Sequence, residues 1–301
     1  MGLAAPAQAC YGALERSFVI VKDRLYKGLM LPGGSRLIYR NGFVKGCRAS
    51  DGFCLSEIVL SRDASLCGLK VPKETTVYLN YSRRTFDHHR TVDSPEEGPG
   101  VFLTLVGAPV QQVAGLEVKD FIEVRCDKRV AQAKDSPLRG ATLNQPMEIY
   151  GISLPAGSGL VWYSPNEGGQ VASLRIESPM TVRDLSLPAR SMLDFDPSGV
   201  LTQIRSHDYS SATVGPYRCW TGFSQGPTLH PNGALASCLL LGSHAFKGFV
   251  GREETLFYQD GTLRSSTLAE DATISGQKGR AGQVVRFRPD GSLVSISRRF
   301  H

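Results

Sequence analysis

The chain has 301 residues, 41% hydrophobic and 21% charged, with 32 glycines and 17 prolines. That balance fits a packed, turn-rich β protein and excludes an intrinsically disordered one, which combines low hydrophobicity with high net charge. The formal charge of +6 gives mild attraction to acidic surfaces, but Lys and Arg are scattered rather than blocked, which argues against nucleic acid as a partner, and no apolar run approaches the ~18 residues of a membrane span.

At the N-terminus, Ala7-Gln-Ala9 immediately before Cys10 has the small-residue pattern of a signal-peptidase site, so residues 1–10 read as a signal-peptide remnant or tail of an exported protein. Helical periodicity is absent. Its best candidate, Ala13 to Leu25, contains Phe18-Val-Ile-Val21, a β-branched run that favours a strand.

Residues 11–134 form a first β-repeat half. Its parts are a turn at Ile38-Tyr-Arg-Asn-Gly42, a leucine-to-acid corner at Leu60 to Asp63, a small-residue turn at Pro32-Gly-Gly-Ser35 and short-strand glycines at Gly28, Gly68 and Gly115. The pattern breaks at 83–100, a polar loop inserted in the array. There Asp87, His88 and His89 form a cluster with metal-ligand or acid–base character, joined by Glu96 and Glu97. Adjacent histidines on a strand face opposite ways, so a shared metal would need a bent loop; we expect a binding role there, with no metal and no cofactor. Lys134 to Gln145 reads as a second loop and as the boundary between halves.

Residues 146–301 form the second half, with a further corner at Leu174 to Glu177 and small-residue turns at Pro155 to Ser158 and Pro188 to Ser191. Ser206 to Tyr217 reads as an irregular segment carrying a second histidine–acid pair, His207 and Asp208. Ser210-Ser211 has no flanking elbow glycines, so a serine hydrolase triad is unsupported, and no phosphate-cradling glycine loop occurs. Trp162 and Trp220, with Tyr217 and Tyr258, are candidates for a ring-stacking strip suited to sugars or a protein partner. The seven cysteines include two pairs placed to bridge, Cys47–Cys54 and Cys219–Cys238. No Cys-x-x-Cys pair occurs, which disfavours a zinc ribbon.

The clearest repetition lies between Thr228 and Ser297. Leu229-His-Pro-Asn-Gly233-Ala-Leu235, Phe257-Tyr-Gln-Asp-Gly261-Thr-Leu263 and Phe287-Arg-Pro-Asp-Gly291-Ser-Leu293 share one pattern, also present at Phe195-Asp-Pro-Ser-Gly199-Val-Leu201. Asn-Gly or Asp-Gly between apolar residues is the strongest short-range hairpin signal. The glycines recur after 28 (233 to 261) and 30 (261 to 291) residues, a period that implies stacked supersecondary units. The expected fold is therefore all-β, an elongated repeat array, either β-solenoid-like or an antiparallel meander, of about eight degenerate units.

These aromatic-x-Pro-Asp-Gly-x-Leu hairpins, with a short strand ending in glycine between them, resemble bacterial variants of MORN-type repeats. The resemblance covers Thr228 to Ser297 and isolated turns near Gly42 and Gly199; the family repeat is shorter and has a second glycine and aromatic positions missing here. It implies an elongated antiparallel array and a role in scaffolding and in protein or lipid contact. The functional expectation is a non-catalytic exported module presenting loops 83–100 and 206–217 to a glycan, envelope component or protein. The alternatives are a polysaccharide-active enzyme, since elongated β scaffolds can hold paired carboxylates along a groove, and a membrane-surface scaffold. Oligomeric state is not legible.

Overall fold

The structure is a computed structural model that describes residues 15–26, 29–41, 53–67, 69–82, 100–113, 115–126, 138–162, 170–182, 184–223 and 225–298. The loop with Asp87, His88, His89, Glu96 and Glu97, the turn at Gly42, Cys47 and the side chain of Cys54 lie outside them. Among the described residues there are strands and turns and no helix. The fold is all-β, and the chain divides into compact units Met1–Ala141 and Thr142–His301.

In the first unit Glu15–Val19 pairs with Arg36–Asn41, followed in order by Phe53–Val59, Thr76–Ser82, Gly100–Val113 and Leu116–Cys126, each antiparallel to the last. The second unit has the same antiparallel succession, through Gly159–Trp162, Val171–Ile176, Ser191–Phe195, Leu201–Ser206, Thr228–Leu229, Leu235–Phe246, Phe249–Phe257, Leu263–Leu268, Gln283–Phe287 and Leu293–Arg298. Each unit is thus a meander. The strand Leu138–Leu143 occupies much of the segment expected to be a loop at Lys134 to Gln145. Its buried Leu138, Ala141 and Leu143 are separated by Arg139, Gly140 and Thr142, a sequence too mixed to advertise a strand.

Between main strands the chain makes a detour, seen most plainly in the last tier. Leu263–Leu268 ends at a corner, the short hairpin Ala272–Ile274 with Gln277–Gly279 follows, a turn through Ala281-Gly282 returns the chain, and Gln283–Phe287 pairs back onto the strand it left. The corner acid explains itself here. Asp271 Oδ1 accepts the Ala281 N–H at 2.8 Å, and Asp23 and Asp63 do the same for Gly33 and Lys73, each at 2.8 Å across ten residues. A carboxylate therefore satisfies a turn donor that the ladder leaves unpaired. Beside it the Gly34, Glu74 and Gly282 amides donate to the carbonyls of Ile20, Leu60 and Leu268. Leu174 to Glu177 is not such a corner: Glu177 instead pairs with Arg175 at 2.7 Å. The true corner follows Ile176, with Pro179 in the acid's place, as Pro146 is after Leu143.

The glycine turns are three-residue hairpins rather than the tightest two-residue kind. In each, the glycine amide donates back three residues, Gly261 to Tyr258 and Gly291 to Arg288 at 2.9 Å. Only the glycine takes positive φ, +84° at Gly261, giving a type I turn closed by a glycine bulge. The apolar residues flanking the turn face one another, Phe257 opposite Leu263 and Phe287 opposite Leu293. Successive turns are also tied together: His230 Nε2 donates to the Phe257 carbonyl at 3.1 Å and the Tyr258 hydroxyl to that of Phe287 at 2.9 Å.

Isolated two-stranded hairpins are marginal in water, so the short hairpins depend on burying apolar side chains. Leu29, Leu31, Leu66, Leu69 and Val71 are almost fully buried in the first unit, each contributing about 1.5–3 kcal/mol by area. In the last tier Ile274 packs on Phe249, Leu268 and Val285. In the second unit two detours also pair with each other, Leu185–Leu187 alongside Ser210–Val214, and Tyr217–Thr221 joins Leu235–Phe246. The result is a covering ladder anchored to the main sheet.

Candidate functional site

Ser206 to Tyr217 is a regular hairpin, not an irregular segment: Ser210–Val214 pairs with Tyr217–Thr221 around Gly215-Pro216. Apolar alternation is weak because hydroxyl pairs substitute for it, as where Ser210 Oγ and Thr221 Oγ1 meet at 2.9 Å in a half-buried position. Two ring pairs lie where the chain enters and leaves this hairpin. His207 lies 5.2 Å from Phe223 and Tyr209 lies 5.8 Å from Trp220 between centroids, the latter pair tilted by only 30°. Tyr209 is 85% exposed and Phe223 54%, while Trp220 is half-buried.

Trp220 is held in place from beneath. Its indole covers buried Gly222 so closely that a Cβ there would overlap the ring, and the Gly222 amide donates to the Gln225 carbonyl at 2.7 Å. Polar groups surround the rings. Asp208 forms an exposed ion pair with Arg190 at 3.5 Å, its own amide reaches Ser206 Oγ at 3.2 Å, and Arg205 donates to the Phe223 carbonyl at 3.3 Å while its guanidinium holds Asp194. His207 is therefore paired with Phe223 and Trp220 with Tyr209, while Asp208, between His207 and Tyr209 in the chain, turns to Arg190. Trp162 sits half-buried opposite Val171 on a different strand pair. Tyr217 and Tyr258 are separated from Trp220 by role: Tyr217 packs 4.7 Å from both His244 and Phe257, and Tyr258 ties two turns.

The expected Cys219–Cys238 disulfide is present, with Cα atoms 5.4 Å apart and both residues buried. It fastens the covering ladder to the main sheet. Cys67 is also disulfide-bonded. Among the described residues no group of three or more His, Cys, Asp or Glu is arranged to hold a metal, and no helix is long and apolar enough to cross a membrane.

Beside this anchored ladder lies a groove of about 490 Å³, within the range of small-ligand sites. It is lined by the tips of the short hairpins, including Tyr150, Asp184 and Tyr217, and by the glycine turns at Gly199, Gly233 and Gly261. No local motif announces it, since its lining comes from residues more than a hundred positions apart, Tyr150 to Gly261. Burial pushes the Tyr217 phenol above its ordinary pKa. Burial does the same at Tyr150, opposed by the hydrogen bond to Val171 and reinforced by the Asp196 charge. No protein-family model and no curated protein matches this chain.

Proposed function

We propose that the chain is an exported, non-catalytic binding module that recognises a glycan through the ring cluster of Tyr209, Trp220, His207 and Phe223. The observation that carries this reading is a tyrosine 85% exposed beside a tryptophan seated on a glycine. Large rings left in water at a fixed angle offer the flat apolar faces onto which sugar C–H groups stack, at little cost in side-chain entropy. Asp208 and Arg190 at the margin supply an acceptor and donors for hydroxyls. Export is supported by the disulfide, which forms and persists in oxidising compartments, and the MORN-like pattern fits a contact scaffold.

The test is affinity electrophoresis of the purified protein through gels carrying soluble polysaccharides of differing linkage, with Tyr209→Ala and Trp220→Ala alongside. Retardation by at least one polysaccharide, lost in both variants while their circular dichroism is unchanged, is the expected result. No retardation by any polysaccharide, or equal retardation of Tyr209→Ala, refutes the proposal.

A further inference from the structure

The groove is a separate feature with its own chemistry. Two ring contacts frame it, Tyr150 with Phe195 at 4.9 Å and Tyr217 with Phe257 at 4.7 Å between centroids. The glycine turns that line it belong to successive hairpins of the sheet, so neighbouring turns stand about 10 Å apart and the groove runs for about 20 Å across them. The floor between is aliphatic. A ligand lying in it would lose its apolar surface to the protein along most of its length.

Charge decides what kind of ligand. The protein as a whole carries +6, yet among the described residues no lysine, arginine or histidine lines the groove, whereas the exposed Asp184 carboxylate does. A second carboxylate, Asp196, is close enough to act on the Tyr150 phenol, and hydrogen bonds from Ser198 and Val200 hold it well below the usual carboxylate range, hence charged at neutral pH. The Tyr217 hydroxyl has no hydrogen-bond partner among the described residues. Ring faces carry negative potential that attracts cations, most strongly where water is displaced. The rings and the Asp184 carboxylate that line the groove, with the Asp196 charge acting on Tyr150 from beside it, are together complementary to an organic ammonium, and they repel an acyl carboxylate or a phosphate.

We infer that this groove is a binding site for an alkylammonium ligand, an apolar body bearing one positive charge, seated with the body along the aliphatic floor and the ammonium between the rings and Asp184. Neither the glycan site nor catalysis is involved in it.

The probes are benzyltrimethylammonium, benzyl alcohol and phenylacetate, which keep the ring and change the charge, titrated into the full chain by saturation-transfer NMR. The ammonium is expected to bind about fivefold or more tightly than the alcohol, with phenylacetate weakest. Asp184→Asn, a change at an exposed side chain, should reduce the preference of ammonium over alcohol to less than about twofold. Tyr217→Phe, which keeps the ring, should leave that preference in place, whereas Tyr217→Leu should lower it. The proposal is overturned if the ammonium shows no saturable binding, if phenylacetate binds as tightly, or if Asp184→Asn leaves the preference unchanged. Should Tyr217→Leu fail to fold, the Asp184→Asn comparison alone decides.

Discussion

Removing the Cys219–Cys238 bridge should loosen the covering ladder of the second unit by an amount that follows from its place in the chain. The two cysteines are 19 residues apart. Closing a loop of that length in the unfolded chain removes roughly 11 cal/mol/K of entropy, or about 3 kcal/mol at room temperature. Both residues are almost fully buried, so a Cys219→Ala, Cys238→Ala double variant adds a smaller cavity penalty that simple reduction does not. Tryptophan fluorescence gives a local reading, because Trp220 neighbours Cys219 and the only other tryptophan is Trp162. In a Trp162→Phe background the urea midpoint reported by Trp220 should drop by about 1.5 M on reduction, taking a slope of about 2 kcal/mol/M. Hydrogen exchange in the strands Ala272–Ile274 and Gln277–Gly279 should change far less, since repeat arrays open tier by tier. A midpoint shift below about 0.3 M, or equal loss of protection in that distant hairpin, would refute the reasoning.

Asp271→Ala should cost about 1 kcal/mol and speed exchange of the Ala281 amide, its partner at 2.8 Å, while leaving the Lys73 amide, served by Asp63, unaffected. Two glycines separate packing from backbone strain: at Gly261 a methyl meets open space and only the positive φ resists it, so Gly261→Ala should lower stability by about 1–2 kcal/mol. At Gly226 the methyl would run into the Ile204 carbonyl, and Gly226→Ala should cost more than about 3 kcal/mol or abolish folding, as thermal unfolding would register. The turn carboxylates of Asp196, Asp260 and Asp290 are held below their ordinary pKa chiefly by hydrogen bonds from Ser198, Thr262 and Ser292. Their stabilisation is thus fully present above about pH 4 and lost as pH falls through the depressed folded values. Asp260→Asn should flatten the acid response of the Gly261 amide shift in an NMR titration, and an unchanged response would contradict this assignment.

Local chemistry made the glycine turns and the acid corners legible. The apolar residues four before and two after each glycine are cross-strand partners, and the repeated aspartate has a donor waiting ten residues on. Where a tier replaces the signal, reading fails: Pro179 hides the corner after Ile176, and Arg139, Gly140 and Thr142 mask the strand Leu138–Leu143. Ser206 to Tyr217 reads as irregular because hydroxyl pairing takes the place of apolar alternation. The ring cluster is partly readable, through His207, Asp208 and Trp220, but Tyr209 and Phe223 carry no signal until the hairpin sets them beside the others. The groove needs the long-range register of several tiers at once, which no short window contains.

The aspartate that seals a detour, as Asp23, Asp63 and Asp271 do, reaches only ten residues along its own chain. A stretch of gene encoding one such segment could therefore be copied in tandem and the extra copy would arrive with its fastening included, needing no compensating change in its neighbours. Lengthening by duplication, followed by independent drift of each copy, is the history such a self-sufficient closure permits.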